Sequence, residues 1–460
     1  MSEHSLWAPQ AWVAGRWETG VLLTIDAMGR WAAVQPGVTT PPEGARQLPG
    51  PVLPGLVNAH SHAFQRAFAG LSERRASDSD DFWSWRDRMY GVAQRITPDQ
   101  MQAVAEHLYV ELLRGGYTQV CEFHYLHHGP HGRAFANRAT MCHALAGAAA
   151  GAGIGLTVLP VLYERAGFAQ PHLRDDQRRF SSTPALVHQL MREVQGLGQA
   201  QVNAGVAVHS LRAASAQAIS ELVWLVGDEP VPIHIHVAEQ TQEVTDCLDA
   251  TGRRPIDWLC QEMAPDARWQ LVHATHATQA EIDAVARCGA GIVICPGTEA
   301  NLGDGLTDLP GWLQAGVPMA IGSDSHVTRN WPEELRWLEY GQRLHLRKRN
   351  VAASPRQQTA TAARLWDAAL AAGGRAAGQG CWGLVAGARA DALVIDTGAP
   401  ALVGIPPSHW LDALVFAGAE PAWREVLVAG GVVLRDGRHA HQERITQRFR
   451  TVMEELWAEV

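Results

Sequence analysis

His60 and His62 close the short run PGLVNAHSH, which begins at Pro54. On a β-strand alternate side chains share a face, so both imidazoles point the same way at the end of the strand. Such a pair offers two nitrogen ligands to one metal ion. The pair alone says little, because a chain with 21 histidines in 460 residues is expected to contain about one His-x-His by chance.

Three later runs end in side chains that bind metals or move protons, and they give the first pair its weight. VPIHIHVAE alternates isoleucines with histidines and carries His236 and Glu239, WQLVH ends in His273, and VPMAIGSD ends in Asp324. Each run reads as a strand with its polar residue at the C-terminal end. In a (β/α)8 barrel that end of the strands is the active-site face, so the ordered set predicts one site built by four strands.

Two further histidines compete for places in this site. His234 faces the same way as His236, but His236 is nearer the C-terminal rim, so we expect His234 to pack one layer deeper. His276 lies past the strand end that carries His273, and we expect it in a loop or at the start of a helix.

The elements that must position these residues predict an α/β protein with a (β/α)8 TIM-type barrel over residues 54–376. Residues 1–53 and 377–460 alternate short apolar runs with turns, and we expect a small composite β-sandwich domain built from both chain ends, followed by a terminal helix over 442–457. The predicted barrel strands are 56–60, 117–123, 155–162, 203–209, 231–237, 269–273, 290–295 and 317–323.

Composition narrows the class of protein. Hydrophobic residues make up 47% of the chain and the net charge is -9, without a cluster of basic residues, so nucleic acid and anionic membranes are not expected partners. No secretory signal or membrane-length apolar run stands out. Seven scattered cysteines argue against a disulfide framework. These features predict a soluble cytoplasmic protein.

The metal-binding set predicted from the strands is His60, His62, His236 and Asp324. Three nitrogens and one oxygen suit Zn²⁺ with a position left for water, and Fe²⁺ or Mn²⁺ accept the same donors. Lys348 is the only lysine of the chain and follows the eighth strand, so no lysine is available at the fourth strand to bridge two metals. We therefore predict one ion per chain, with Glu122 left open as a bridging acid.

Hydrolysis is the chemistry that such a set performs. A bound metal lets water ionise near neutral pH and attack an electrophilic carbon. Asp324 and His273 are placed to handle the proton of the water, and Glu239 to pass a proton to a nitrogen of the substrate. Glu239 lies three residues past His236, so it can face the same cavity.

Two arginines point to the substrate class. Arg86 lies in the long first loop, within DFWSWRDRMY, and Arg212 follows the fourth strand within HSLRA. Arginine binds carboxylates through two parallel hydrogen bonds. Because 37 of the 38 basic residues are arginine, most of them must lie on the surface, yet two over one metal site would suit a small dicarboxylate.

The ordered set His-x-His, His-x-x-Glu, His, Asp resembles the amidohydrolase superfamily, in its mononuclear deaminase branch. The strings HAFQRAFAG, DFWSWRDRMY, CEFHYLHH and HSLRA resemble the formimidoylglutamate deiminase family within it. This resemblance implies zinc, a homodimer, and hydrolysis of N-formimino-L-glutamate in histidine degradation. It also implies that five residues contact the substrate, namely Gln65, Arg86, Tyr125, His209 and Arg212.

Other functions stay open on the same fold. A purine or other heteroaromatic deaminase would need aromatic and amide contacts in place of the paired arginines, and a cyclic amidase would open a ring. A non-catalytic scaffold is disfavoured because every ligand and proton carrier is present. One departure concerns strand seven, where PGTEAN at 296–301 stands in place of the superfamily's common Pro-x-Ser-Asn run.

Overall fold

A computed structural model describes residues 4–74, 82–418, 420 and 422–458. Asp81 of the DFWSWRDRMY string lies outside the described residues, as do the side chains of Phe82, Trp83, Ser84, Asp87 and Arg88. The outermost positions of the two chain ends, 1–3 and 459–460, lie outside them as well. Among the helices that the structure describes, none combines the length and the apolar character needed to span a membrane.

Eight parallel strands form the predicted barrel, which is confirmed. Each strand pairs with its neighbours in chain order around the barrel. Nearly all of their positions are buried, because helices cover the outside and side chains fill the inside. The strands are β6 (Leu56–Ser61), β7 (Tyr117–His124), β8 (Gly155–Leu162), β10 (Val206–Ser210), β11 (Ile233–Val237), β12 (Trp269–His273), β13 (Gly291–Ile294) and β14 (Met319–Ile321).

The ring closes between the first and last strands. Ser61 pairs with Asp324 in a parallel bridge, and the Asp324 N–H donates to the His60 carbonyl oxygen at 3.0 Å. Gly322 makes this closure feasible, since a Cβ there would lie 2.7 Å from the Cβ of His60. Barrel closure and the predicted metal site therefore share the same residues.

The fourth strand is shorter than the predicted 203–209. The chain forms a separate short strand β9 (Val202–Ala204), which pairs with β8, and then β10. Gly205 divides them because the backbone passes close to Pro232, whose carbonyl oxygen would lie 2.4 Å from a Cβ at this position. The prediction of one continuous strand was wrong at this glycine.

Helices alternate with the strands around the barrel. Side-chain caps define several starts, as at Thr97, whose hydroxyl accepts from the Gln100 N–H while the Gln100 side chain accepts from the Thr97 N–H. The helices are α1 (Phe82–Ala93), α2 (Pro98–Arg114), α3 (Thr140–Ala152), α4 (Pro184–Gln195), α5 (Ala216–Val226), α6 (Thr241–Thr251), α7 (Pro255–Glu262), α8 (Gln279–Cys288), α9 (Pro296–Leu302), α10 (Leu309–Ala315), α11 (Trp331–Leu346), α12 (Thr361–Ala376), α13 (Trp410–Phe416) and α14 (Gln442–Trp457).

Both chain ends contribute to a second sheet, as predicted. Its strands are β1 (His4–Val13), β2 (Arg16–Ile25), β3 (Trp31–Gln35), β4 (Arg46–Gln47), β5 (Val52–Pro54), β15 (Ala392–Ile395), β16 (Trp423–Val428), β17 (Gly431–Arg435) and β18 (Arg438–His439). They are hydrogen-bonded in the order β18-β17-β16-β15-β5-β1-β2-β3, with β4 beside β1, and the sheet has a hydrophobic core of its own. The exact domain boundaries stay a prediction.

A buried ion pair joins this sheet to the barrel. Arg389 pairs with Asp391 at 2.7 Å, and its guanidinium also donates to the Gln119 side chain and the Thr118 carbonyl oxygen on β7. Because the guanidinium N–H groups of Arg389 bond both to Asp391 and to the start of β7, this arginine fixes the second sheet against the N-terminal end of the barrel strands.

Candidate active site

The four predicted metal-binding side chains lie together inside the C-terminal end of the barrel. His60 Nε2 is 3.1 Å from His62 Nε2 and 3.0 Å from His236 Nε2. Asp324 Oδ1 is 3.3 Å from His62 Nε2 and 3.4 Å from His60 Nε2. All four side chains are buried, and the Phe123 ring packs against the three histidines of the cluster.

This donor set fits a metal ion. Ligands bound to zinc at 2.0–2.1 Å in a tetrahedron lie roughly 3.3 Å apart, which is close to the distances from His60 to the other three donors and from His62 to Asp324. The Phe123 carbonyl oxygen is 2.8 Å from His62 Nδ1, so this ring donates at Nδ1 and presents the lone pair of Nε2 to the cluster. Burial lowers the pKa of His60 to about 3, which keeps the imidazole neutral and able to bind a cation.

The backbone at the strand ends turns sharply to aim these side chains. Ala238, His273, Ala274 and Asp324 all have positive φ angles, between 45° and 69°. L-residues rarely adopt this conformation, and it is commonly found where a structure holds a functional group in place. The turn after β11 is held by Glu243, whose carboxylate accepts the N–H groups of Ala238 and Glu239.

Two of the predicted proton carriers face the cluster. His273 Nε2 is 3.8 Å from Glu239 Oε1 and 3.9 Å from Asp324 Oδ2. Burial raises the pKa of Glu239 to about 7. Burial alone would lower the pKa of His273. The neighbouring carboxylates of Glu239, Glu299 and Asp324 outweigh burial and raise this pKa to about 10. Burial likewise raises the pKa of Asp324, but its histidine neighbours hold it below its usual range.

Glu299 is a member of the site that the sequence reasoning missed. Its Oε1 is 3.3 Å from His273 Nδ1 and accepts the Cys295 N–H at 3.0 Å. The signal was the departure from Pro-x-Ser-Asn after strand seven, where the chain forms α9 and turns Glu299 inward. The position was noticed in the sequence, but nothing there connects it to His273.

A cavity opens on the cluster. Every predicted substrate-contacting residue lines it, namely Gln65, Arg86, Tyr125, His209 and Arg212. The Gln65 amide donates to the Tyr125 hydroxyl at 3.3 Å, and the Tyr125 ring meets the His209 ring edge-on at 5.6 Å. Burial lowers the pKa of His209 well below its usual range, with Arg212 adding to the effect.

Aromatic residues that the sequence did not single out complete the wall. Tyr90 and Tyr163 both receive a hydrogen bond from the Gln177 amide, and the Arg86 guanidinium lies over the Tyr90 ring at 5.6 Å. Burial lowers the pKa of Arg86, and the nearby Arg212 adds to that effect. The two cations therefore lie close enough to repel each other, which favours an anionic ligand between them.

Three residues considered from the sequence lie outside the cluster. His234 is one layer deeper and hydrogen-bonds to the Ala376 carbonyl oxygen at 2.8 Å. Glu122 accepts the Ser61 hydroxyl at 2.7 Å and the Ala63 N–H, and burial raises its pKa to about 8. These contacts use the carboxylate of Glu122 to hold the loop after β6, so it does not bridge metals in this arrangement. His276 follows β12 in a turn.

Comparison with known proteins assigns the family. The model of the amidohydrolase family matches residues 52–433. This chain belongs to the amidohydrolase family. It is 46% identical over 453 residues to the formimidoylglutamate deiminase of Pseudomonas aeruginosa, an alignment that covers 98% of this chain and 99% of that protein. This amidohydrolase therefore also belongs to the formimidoylglutamate deiminase family, and it is a hydrolase of carbon–nitrogen bonds from a metal-dependent family.

Solved structures agree with the fold. The crystal structure of an amidohydrolase from Brucella melitensis is 39% identical, with a TM-score of 0.92 over 98% of this chain and 99% of that one. An adenosine deaminase from Xanthomonas campestris, solved with bound zinc, is 21% identical with a TM-score of 0.80 over 99% of each chain. At that identity the second likeness shows a shared fold alone.

Proposed function

We propose that this amidohydrolase converts N-formimino-L-glutamate and water to N-formyl-L-glutamate and ammonia. The observation that carries the proposal is that Arg86 and Arg212 line the same cavity as the His60, His62, His236 and Asp324 cluster. When the two arginines bind the two carboxylates of the substrate, the formimino group on its amino nitrogen faces the cluster. The full-length likeness to a formimidoylglutamate deiminase supports this choice of substrate.

We propose one Zn²⁺ per chain, held by His60, His62, His236 and Asp324. The spacing of the donors and the absence of a lysine at the fourth strand support this number. When bound, the metal supplies a Lewis acid that polarises the formimino group and lowers the pKa of a water molecule. Iron and manganese remain testable alternatives by metal exchange.

The residues of the chain move the protons. Asp324 accepts a proton from the attacking water, and the protonated His273, whose Nε2 lies 3.9 Å from Asp324 Oδ2, relays that proton. The water oxygen forms a bond to the formimino carbon, and the bond from that carbon to the terminal nitrogen then breaks. Attack on the carbon converts its double bond to the terminal nitrogen into a single bond, and Glu239 supplies one proton to that nitrogen. The proton taken from the attacking water supplies the second, so the nitrogen departs as ammonia while the remaining hydroxyl proton returns to Glu239 and the formyl C=O forms. Burial raises the pKa of Glu239 to about 7, so the carboxyl can both hold and release a proton near neutral pH.

Polar groups between the metal cluster and the arginines orient the substrate. Gln65, Tyr125 and His209 all line this part of the cavity. His209 is kept neutral by burial and by Arg212, so it can accept or donate a hydrogen bond without adding a third cation. We propose that these three groups hold the formimino end while the arginines bind the carboxylates.

Ammonia release tests the proposal. Purified protein, with its metal content measured, is assayed with N-formimino-L-glutamate, N-formimino-L-aspartate, N-formimino-glycine, adenosine and an imidazolone ring. We expect the glutamate compound to have the highest kcat/KM. A higher kcat/KM for ammonia release from adenosine, or ring opening of the imidazolone followed by its ultraviolet absorbance, would contradict the proposed function. The mass of the purified protein in solution tests the homodimer that the family resemblance implies.

A further inference from the structure

Glu299 has a buried carboxylate with two defined partners beside the site. It lies on α9, directly after β13, and is 4% exposed. Its Oε1 accepts the Cys295 N–H at 3.0 Å and lies 3.3 Å from His273 Nδ1. The same oxygen therefore joins the backbone of strand seven to the imidazole of strand six.

The contact determines which nitrogen of His273 faces the reaction. A carboxylate oxygen can only accept, so Nδ1 must carry the hydrogen in this bond. Nε2, on the other side of the ring, faces Glu239 Oε1 at 3.8 Å and Asp324 Oδ2 at 3.9 Å. Nε2 is then the nitrogen that exchanges a proton with the substrate or water.

We infer that Glu299 is a positioning residue, which holds the ring and the Nδ1–H of His273 so that Nε2 transfers the proton. This inference rests on the proposed function, in which His273 carries a proton. Glu299 itself lies behind His273 and does not line the cavity wall that the structure describes. Its effect should therefore be on the chemical step and not on substrate binding.

The cysteine N–H makes glutamine an informative replacement. In Glu299→Gln the side chain has one oxygen and one NH₂ group. The Cys295 N–H needs an acceptor, so it selects the oxygen for the inner position, where His273 Nδ1 also donates. The variant thus loses the charge but keeps the acceptor, whereas Glu299→Ala loses both.

Glu339 provides a matched structural control. It is also a fully buried acid, and its carboxylate accepts the N–H groups of Val351 and Ala352. It lies on α11 and does not line the cavity that the structure describes. Glu339→Ala should lower the melting temperature and leave kcat unchanged.

The experiment measures kcat, KM, metal content and melting temperature for wild type, Glu299→Ala, Glu299→Gln and Glu339→Ala with N-formimino-L-glutamate. We expect Glu299→Ala to lower kcat by about 10–100-fold, the usual effect of removing such a partner, with KM within about threefold and the metal retained. Glu299→Gln should keep kcat within about fivefold of wild type.

Three results would overturn the inference. The first is an unchanged kcat in Glu299→Ala, and the second is an equal loss of kcat in Glu299→Gln, which would assign the effect to charge. The third is a loss of kcat in Glu339→Ala as large as that in Glu299→Ala. Failure of the proposed function is visible separately, because wild type itself would then be inactive on N-formimino-L-glutamate. The same four proteins would be compared on whichever amidine or amide wild type hydrolyses, and the Glu299 result would stand on that substrate.

Discussion

Glu239 is the residue whose environment best matches a proton carrier. Burial raises the pKa of its carboxyl to about 7, and it lies beside His273 in the cavity. Glu239→Gln keeps the size of the side chain and removes the exchangeable proton. We expect kcat to fall by about 10²–10⁴-fold, with metal content and melting temperature unchanged. A variant with kcat near that of wild type would remove Glu239 from the mechanism.

Arg86 and Arg212 should select a substrate with two carboxylates. Removing a hydrogen bond to a charged group costs on the order of 1.5–3 kcal/mol, so Arg86→Met and Arg212→Met should each lose about 10–150-fold in kcat/KM on N-formimino-L-glutamate. N-formimino-glycine has one carboxylate fewer, so at least one variant should lose much less activity on it.

The control for the arginines is Arg192→Met, which removes an exposed arginine paired with Glu229 away from the cavity. It should leave both substrates unaffected. If Arg86→Met and Arg212→Met lose activity equally on both substrates, the arginines are structural and the dicarboxylate proposal fails.

Residues whose partners are close in sequence or fixed by strand ends could be predicted. The period of two in a strand places His60 with His62 and separates His236 from the deeper His234. Glu299 could not be assigned in the same way. Its role depends on a contact with His273 across two strands, and a contact of that kind leaves no local pattern.

At the scale of the elements, the turn after β11 holds Glu239 in place. Ala238 has a φ angle of 52° and is fully buried. Ala238→Val puts a β-branched side chain in the left-handed region, so we expect about 1–3 kcal/mol less stability and a lower kcat. Ala238→Gly fits this backbone and should keep both. Equal behaviour of the two variants in urea unfolding and in kcat would contradict this account.

Strand and helix positions were largely predictable, and their ends were not. The helix predicted over 442–457 is α14 with those limits, and threonine side chains cap the starts of α2 and α8. The fourth strand divides at Gly205, and strand seven leads into α9. Both departures come from packing against distant backbone or side chains, which propensity and periodicity do not contain.

At the scale of the whole molecule, the metal should tie the barrel together. Its predicted ligands are His60 and His62 at the end of β6, His236 on β11 and Asp324 three residues past β14, so the ion spans the seam between the first and last strands. Metal analysis should give one ion per chain, and a chelator should lower the melting temperature. A ligand at a thousand times its Kd adds roughly 4 kcal/mol of stability.

The matched variant for this prediction is His60→Ala, which should melt at the same temperature with and without the chelator. Two tightly held ions per chain would contradict the single site. A wild-type melting temperature that stays the same after complete loss of the metal would contradict the prediction that the metal stabilises the barrel.

The second sheet pairs strands from the two ends of the chain, and this affects how the protein folds during its synthesis. Leu53 on β5 pairs with Leu393 on β15, so the first strands leave the ribosome long before their partner exists. At about 5–20 residues per second, the edge of β5 waits for tens of seconds. An open strand edge is a template for wrong pairing. The nascent protein is therefore most exposed to aggregation until the last seventh of the chain, which begins at β15, has been synthesised. A stop codon shortly before β15 should yield insoluble protein instead of a truncated enzyme.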